Sequence, residues 1–141
     1  MIVLDTSILS LAFRRPRRDA GDESPPVAAL RKLIEDDAPL AICGIVLQEL
    51  LSGVRSPEQF RKLRSAMAGF PVLLAGEADH IRAARIANVC RTHGVACSTV
   101  DSLIAAQTIE RKGKLLTTDA DFERISAYSG LRLMSWTPKE P

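Results

Sequence analysis

Residues 1–13 read MIVLDTSILSLAF, and the opening of this stretch decides the fold. Ile2, Val3 and Leu4 form an unbroken apolar run that ends on a carboxylate, Asp5. An apolar run without polar alternation suits a strand buried on both faces, the usual situation in a parallel sheet. The whole stretch reads as buried strand and not as a secretory leader, because no basic segment precedes it and Asp5 interrupts it. Comparable runs follow at 40–43, 72–74, 115–117 and 131–133, giving further candidate strands. The segments between them have helical spacing. Residues 27–36 set Leu30, Leu33 and Ile34 on one face, and 45–54 are closed by Gly53. Pro57 opens the next helix, which carries Phe60, Leu63, Arg64 and Met67. Residues 76–93 carry Ile81, Ala84, Ile86, Ala87 and Cys90 and stop at Gly94, 100–112 stop at Gly113, and 122–128 form a last short helix. Strands alternating with helices predict an α/β domain, a parallel sheet with helices on both faces. In such sheets the binding crevice lies beyond the carboxyl ends of the strands.

Composition narrows the classes of function. The chain has 141 residues, enough for one domain of ordinary size. A hydrophobic content of 46% excludes wholesale disorder, and with aromatics at 4% the core must be aliphatic. No apolar run reaches the roughly 18 residues of a membrane span, so no membrane partner is expected. The net charge of +2 is too small to argue for a nucleic-acid partner by itself. Arg14, Arg15, Arg17 and Arg18 are a local exception, within residues 14–26 (RRPRRDAGDESPP). The prolines and charge of that segment predict a long surface loop, either merely solvated or binding phosphate. Cys43, Cys90 and Cys97 form no CxxC pair and no zinc pattern, which fits a reducing cytoplasmic setting. Cys43 and Cys90 are expected to pack as small hydrophobes, and His80 and His93, without metal-ligand spacing, to lie on the surface.

Carboxylates carry the candidate chemistry. Asp5 and Asp119 each close a strand, in MIVLD and KLLTTD, and would point into one crevice if those strands lie together. Glu49, in GIVLQELLSG, falls outside the face formed by Leu47, Leu50, Leu51 and Val54 and so faces water or a polar cleft. Asp101 opens the helix STVDSLIAAQ. Each acid has a structural alternative. Asp5 could be a helix cap. Asp101 could complete a capping box with Ser98, and Thr118 with Asp121 could form another at the last helix. Glu49 could sit on a solvated face. As a set, four carboxylates meeting without matching cations would repel one another and raise some of their pKa values. A divalent cation relieves that repulsion, and oxygen donors without a Cys/His set point to Mg2+ or Mn2+. Water on such a metal can attack phosphorus.

DTSIL at 5–9, QELLSG at 48–53, VDSLIAAQ at 100–107 and LLTTDADFERI at 115–125 together resemble the PIN-domain ribonucleases, and most of all the VapC-type toxins of type II toxin–antitoxin modules. The likeness spans residues 1–134, a single PIN-like domain, and leaves 135–141 as a C-terminal tail. It implies a three-layer α/β/α architecture with a five-stranded parallel sheet. It also implies a Mg2+-dependent endoribonuclease that leaves a 5′-phosphate and a 3′-hydroxyl. Carried over residue by residue, Asp5 is the central metal ligand, and Asp101 and Asp119 hold the metal directly or through water. Glu49 orients the attacking water or a second metal. Thr6, Ser7 and Thr117 match supporting hydroxyl positions, and Asp121 is the stand-in for Asp119. The implied partners are RNA, a second copy of the chain, and an antitoxin protein whose peptide arm, often with an Arg, fills the acidic groove. The apolar helices from 45 to 70 would serve either such a partner or the domain's own core. Residues 14–26 are longer and more Arg-rich than the family pattern, and Arg14, Arg15, Arg17 and Arg18 would guide RNA phosphates toward the acids. Two rivals stay open: an RNA-binding PIN-like domain without turnover, and a phosphatase with Asp5 as nucleophile. Phosphatases of the haloacid dehalogenase type expect a second Asp two residues on, where this chain has Ser7.

Overall fold

Strand β1 (Ile2–Leu4) lies inside a parallel four-stranded sheet of order β3-β2-β1-β4, with β2 (Leu40–Cys43), β3 (Val72–Leu73) and β4 (Lys114–Leu116). The computed structural model describes residues 1–14 and 23–136. β1 pairs with β2 at Ile2↔Leu40 and Val3↔Ala41, and with β4 from Ile2↔Lys114 to Leu4↔Leu116. Successive residues of a strand face opposite sides of the sheet. Val3 and Leu4 are both fully buried, as are Ile42 and Cys43, so both faces of the sheet are covered. The cover comes from α1 (Thr6–Leu9), α2 (Pro25–Glu35), α3 (Gly44–Leu51), α4 (Pro57–Met67), α5 (Glu77–Thr92), α6 (Thr99–Glu110) and α7 (Asp121–Ser129). Among these, α5 packs on α6 and α7, while α1 packs on α2 and α3 and α3 on α4. No helix among the described residues is long and apolar enough to cross a membrane.

The apolar opening is strand only as far as Leu4. Beyond it Thr6–Leu9 is α1, and a π-helical turn follows at Ser10–Arg14. Asp5 stands where the sheet ends, level with the last residues of β2 and β4. Residues after it have no ladder partner, and their backbone groups must be satisfied locally; the Leu9 N–H accordingly donates to the Asp5 carbonyl at 3.3 Å. The expected loop at 14–26 also ends early, because Pro25 occupies the first turn of α2, where its missing N–H costs nothing. Arg14 is exposed at the end of the π-helical turn, and Arg15, Arg17 and Arg18 lie outside the described residues.

Among the described residues the sheet has four strands and not five. Segment 131–133 contributes one bridge, Leu115↔Leu133. Around it the Leu115 N–H donates to the Arg132 carbonyl at 2.9 Å and the Met134 N–H to the Leu115 carbonyl at 2.8 Å. The ladder would continue with the Thr117 N–H on the Met134 carbonyl. That bond is not made among the described residues, and pairing stops after one residue; farther along, the Thr117 carbonyl accepts the indole Nε1–H of Trp136 at 3.2 Å. Trp136, beyond the boundary drawn at 134, is partly buried against the core.

Val46, Leu50, Leu63 and Met67 put the apolar face of α3 and α4 into the domain's own core, with Phe60 left partly in solvent. Cys43 and Cys90 are fully buried, and burial pushes the Cys43 thiol up to about 12, so it stays protonated. His80 and His93 are exposed. The inward face of α5 carries a charge that the apolar spacing did not flag, Asp79. Its carboxylate receives the Arg111 guanidinium at 3.1 and 3.3 Å and the Gly76 N–H at 2.9 Å. Arg111 also reaches the carbonyls of Gln107 and Leu74, so this pair ties α5, α6 and the end of β3 together. Burial alone would push the Asp79 carboxyl up, but the hydrogen bonds of Arg111 and Gly76 and the charge of Arg111 hold it below its ordinary value.

Truncating Arg111 leaves a buried carboxylate without its cation. Arg111→Ala should lose about 3 kcal/mol of stability in a urea titration near neutral pH. A lowered carboxyl pKa gives stability that is present above the unfolded value and fades as acid is added, so the gap between variant and wild type should narrow with falling pH.

Candidate functional site

The acids gather where the strands end. Asp5 occupies the N-cap position of α1 in extended geometry, yet its side chain makes no cap hydrogen bond. Its Oδ2 receives two hydroxyl protons instead, from Ser7 at 2.8 Å and Thr117 at 2.7 Å. With both protons directed at Asp5, the 3.2 Å approach of Ser7 Oγ to Thr117 Oγ1 is a close contact between two donors. A cap is worth about 1 kcal/mol, whereas a hydrogen bond to a charged group contributes about 1.5–3 kcal/mol. The carboxylate is therefore held by the hydroxyls, and the cap reading of Asp5 does not describe it. Only 5% of Asp5 is exposed, and its Oδ1 accepts no hydrogen bond among the described residues.

β1 and β4 are direct neighbours, and this brings the loop after β4 to Asp5. The Thr118 N–H donates to Ser7 Oγ at 3.0 Å, and the Asp119 N–H to Thr117 Oγ1 at 3.0 Å. Asp119 Oδ1 then accepts the Asp121 N–H at 2.9 Å. The expected Thr118–Asp121 capping box does not form: the N-cap of α7 is Ala120, and Asp119 turns the chain into the helix. α6 is capped by Ser98, whose Oγ accepts the Asp101 N–H at 3.0 Å. The Ser98 N–H donates no return bond to the Asp101 carboxylate among the described residues, so the capping box is only half formed.

Carboxylate oxygens of Asp101, Asp119 and Asp121 lie within 4.8 Å of one another. At that distance two unit charges repel by about 3 kcal/mol at an effective dielectric near 20. Burial, together with the charges of Asp119, Asp5 and Asp121, pushes the Asp101 carboxyl up to about 6, against the opposing hydroxyl of Ser98. Among the described ion pairs Arg124 is the one cation that touches this group, on the exposed side of Asp121. Three half-buried carboxylates that close, with so little positive charge, form a donor set for a hard divalent cation. Glu49 stands apart from the tight trio. It is exposed on α3, where its Oε1 accepts the Thr6 hydroxyl at 2.9 Å, one residue along the chain from Asp5. Of the acids expected from sequence, Asp101 and Asp119 therefore meet directly, Asp5 adjoins them, and Glu49 is joined through Thr6. Asp121 belongs to the group as fully as Asp119 does. Ser7, standing where a dehalogenase-type phosphatase keeps its second acid, already spends its proton on Asp5.

Sequence reasoning left Trp136 in the tail, although its indole donates to the Thr117 carbonyl at the edge of this site. A lone tryptophan beyond the last strand candidate was the available signal.

Residues 2–128 match the PIN domain family model. VapC ribonuclease Mb1587 of Mycobacterium bovis is 31% identical over 138 residues, covering 96% of this chain and 99% of its own. Ribonuclease VapC11 of Mycobacterium tuberculosis is similar to the same extent, 31% over 138 residues with 96% and 99% covered. Among solved structures, VapBC2 from Rickettsia felis, bound to a DNA fragment from its promoter, is similar in fold with a TM-score of 0.75 at 22% identity, covering 97% of this chain and 100% of that one.

A carboxyl whose pKa is raised on folding stabilises the protein below its unfolded value, near 4, and that stability is lost as pH rises through about 6. Asp101→Asn should therefore melt higher than wild type at pH 7 in EDTA, by about 1 kcal/mol once solvent screening of a half-exposed group is allowed for. The advantage should vanish near pH 4. Adding Mg2+ should raise the melting temperature of wild type more than that of the variant, as differential scanning fluorimetry would record.

Proposed function

The chain belongs to the PIN domain family, among the VapC ribonucleases, and from that premise we propose that it is a Mg2+-dependent endoribonuclease, the toxin of a toxin–antitoxin module. The observation that carries the proposal is the meeting of Asp101, Asp119 and Asp121 beside Asp5 at the carboxyl end of the sheet. Their donors fit a hard cation: all are carboxylate oxygens, no His or Cys joins the trio, and burial and the neighbouring acids make Asp101 costly to ionise unless a cation is shared. Asp5, Asp101 and Asp119 would hold Mg2+ or Mn2+, with Asp121 adjoining. The cation, when bound, supplies Lewis acidity that lowers the pKa of water and steadies negative charge on phosphoryl oxygens.

The protein's own groups set the geometry of that reaction. Ser7 and Thr117 fix Asp5 through Oδ2 and leave Oδ1 without a hydrogen bond among the described residues. Thr6 fixes Glu49 through Oε1, and the second oxygen, Oε2, is free among the described residues to orient the attacking water and take its proton. The water oxygen adds to phosphorus, the P–O3′ bond breaks, and the departing 3′-oxygen takes a proton from solvent, to which Glu49 later returns its own, leaving a 5′-phosphate and a 3′-hydroxyl. Arg14, Arg15, Arg17 and Arg18 would draw the RNA backbone toward the acids. A cognate antitoxin and a second copy of the chain are the proposed protein partners, in the cytoplasm. The VapBC2 structure supports the first of these, as a toxin–antitoxin complex of the same fold.

Wild type should cleave RNA and arrest growth when expressed alone, and EDTA should abolish cleavage. Asp5→Asn should lose both activities by at least about 100-fold, the upper end of what even indirect changes around a metal cause, while its circular dichroism stays that of wild type. RNA binding with no Mg2+-dependent cleavage by wild type would support a binding domain without turnover, and a phosphorylated Asp5 would support the phosphatase.

A further inference from the structure

We infer that Trp136 is a positioning residue for Asp5, acting through the peptide unit between Thr117 and Thr118; the inference rests on the reading of Asp5 as part of a metal site. The two halves of that peptide unit are held from opposite sides. Its carbonyl, on Thr117, accepts the indole Nε1–H of Trp136 at 3.2 Å. Its N–H, on Thr118, donates to Ser7 Oγ at 3.0 Å. A peptide unit is planar, with C=O and N–H pointing in opposite directions, so holding the carbonyl aims the N–H. Ser7, so held, donates to Asp5 Oδ2 at 2.8 Å. Thr117 donates to the same oxygen at 2.7 Å while its Oγ1 accepts the Asp119 N–H at 3.0 Å. One indole thus governs a peptide from which both hydroxyl contacts of Asp5, and the backbone entry to Asp119, are set.

The placement of Trp136 suits the indole to this task. Its ring is partly buried against the core, which limits the directions in which the N–H can point. The bonds of Arg132 and Met134 with Leu115 bring the chain alongside β4 and so carry the indole to the Thr117 carbonyl.

The test measures Mg2+ binding by titration calorimetry without RNA, on the full chain. Trp136→Phe keeps a ring and deletes the donor; benzothienylalanine at 136 keeps the bicyclic shape and also lacks the N–H; 5-fluorotryptophan keeps it. The first two should bind Mg2+ about 10-fold more weakly, the scale of lost outer contacts around a metal, and 5-fluorotryptophan should match wild type. Ile86→Val, a core change in α5, serves as a destabilised control and should leave the affinity unchanged. Wild-type affinity in both donor-less variants would overturn the positioning role, as would an equal loss in Ile86→Val. Asp5→Asn separates the two readings. If it binds Mg2+ like wild type, the metal site itself is misassigned; if it loses Mg2+ while Trp136→Phe keeps it, only the role of Trp136 fails.

Discussion

A carboxylate at the end of a buried strand has to be satisfied by something, and the way Asp5 is satisfied organises this molecule. Its burial leaves little water to solvate the charge, and an unsatisfied buried charge is among the costliest features a small domain can carry. The fold answers with two hydroxyls from two different segments, Ser7 on the following helix and Thr117 at the end of the neighbouring strand. Neither neutralises the charge. Hydroxyls hold and orient a carboxylate while leaving it negative, which is the condition in which a carboxylate attracts a cation.

The opposite solution appears elsewhere in the same chain. Asp79 is buried to a similar degree, but Arg111 meets both of its oxygens and the Gly76 N–H completes its shell. That pair is internally balanced and ties helices together. Asp5, by contrast, adjoins three more acids, and burial together with their repulsion pushes the Asp101 carboxyl up to about 6. A balanced pair reads as architecture, while a crowded, underneutralised group reads as a site that another charge completes. The contrast separates the two buried acids without reference to any relative.

Much of the fold was legible in short apolar runs and their punctuation. Ile2–Leu4 and Leu40–Cys43 are strands because unbroken aliphatic runs must be buried on both faces, and Pro57 starts its helix as its fixed φ requires. Where the reading went astray, the missing information was a partner. Residues 6–13 are as apolar as a strand, but past Asp5 no neighbouring strand remains to pair with them. Segment 131–133 has the composition of a strand, but the Thr117 N–H and the Met134 carbonyl that its continuation needed do not pair among the described residues.

From sequence alone came the acids themselves, their positions at strand and helix ends, and the hard-oxygen chemistry of a group without His or Cys ligands. Those follow from residue type and local periodicity, which a single chain segment carries within itself. Which acids touch was decided by tertiary structure, because Asp101 meets Asp119 and Asp121, beside Asp5, only through strand order and helix packing. Asp121 entered the group because Asp119 turns the chain at its N–H, and Glu49 fell outside it because α3 directs it to Thr6. Local preference sets what each residue is able to do; distances between segments far apart in the chain arise only when burial of the shared core brings them together.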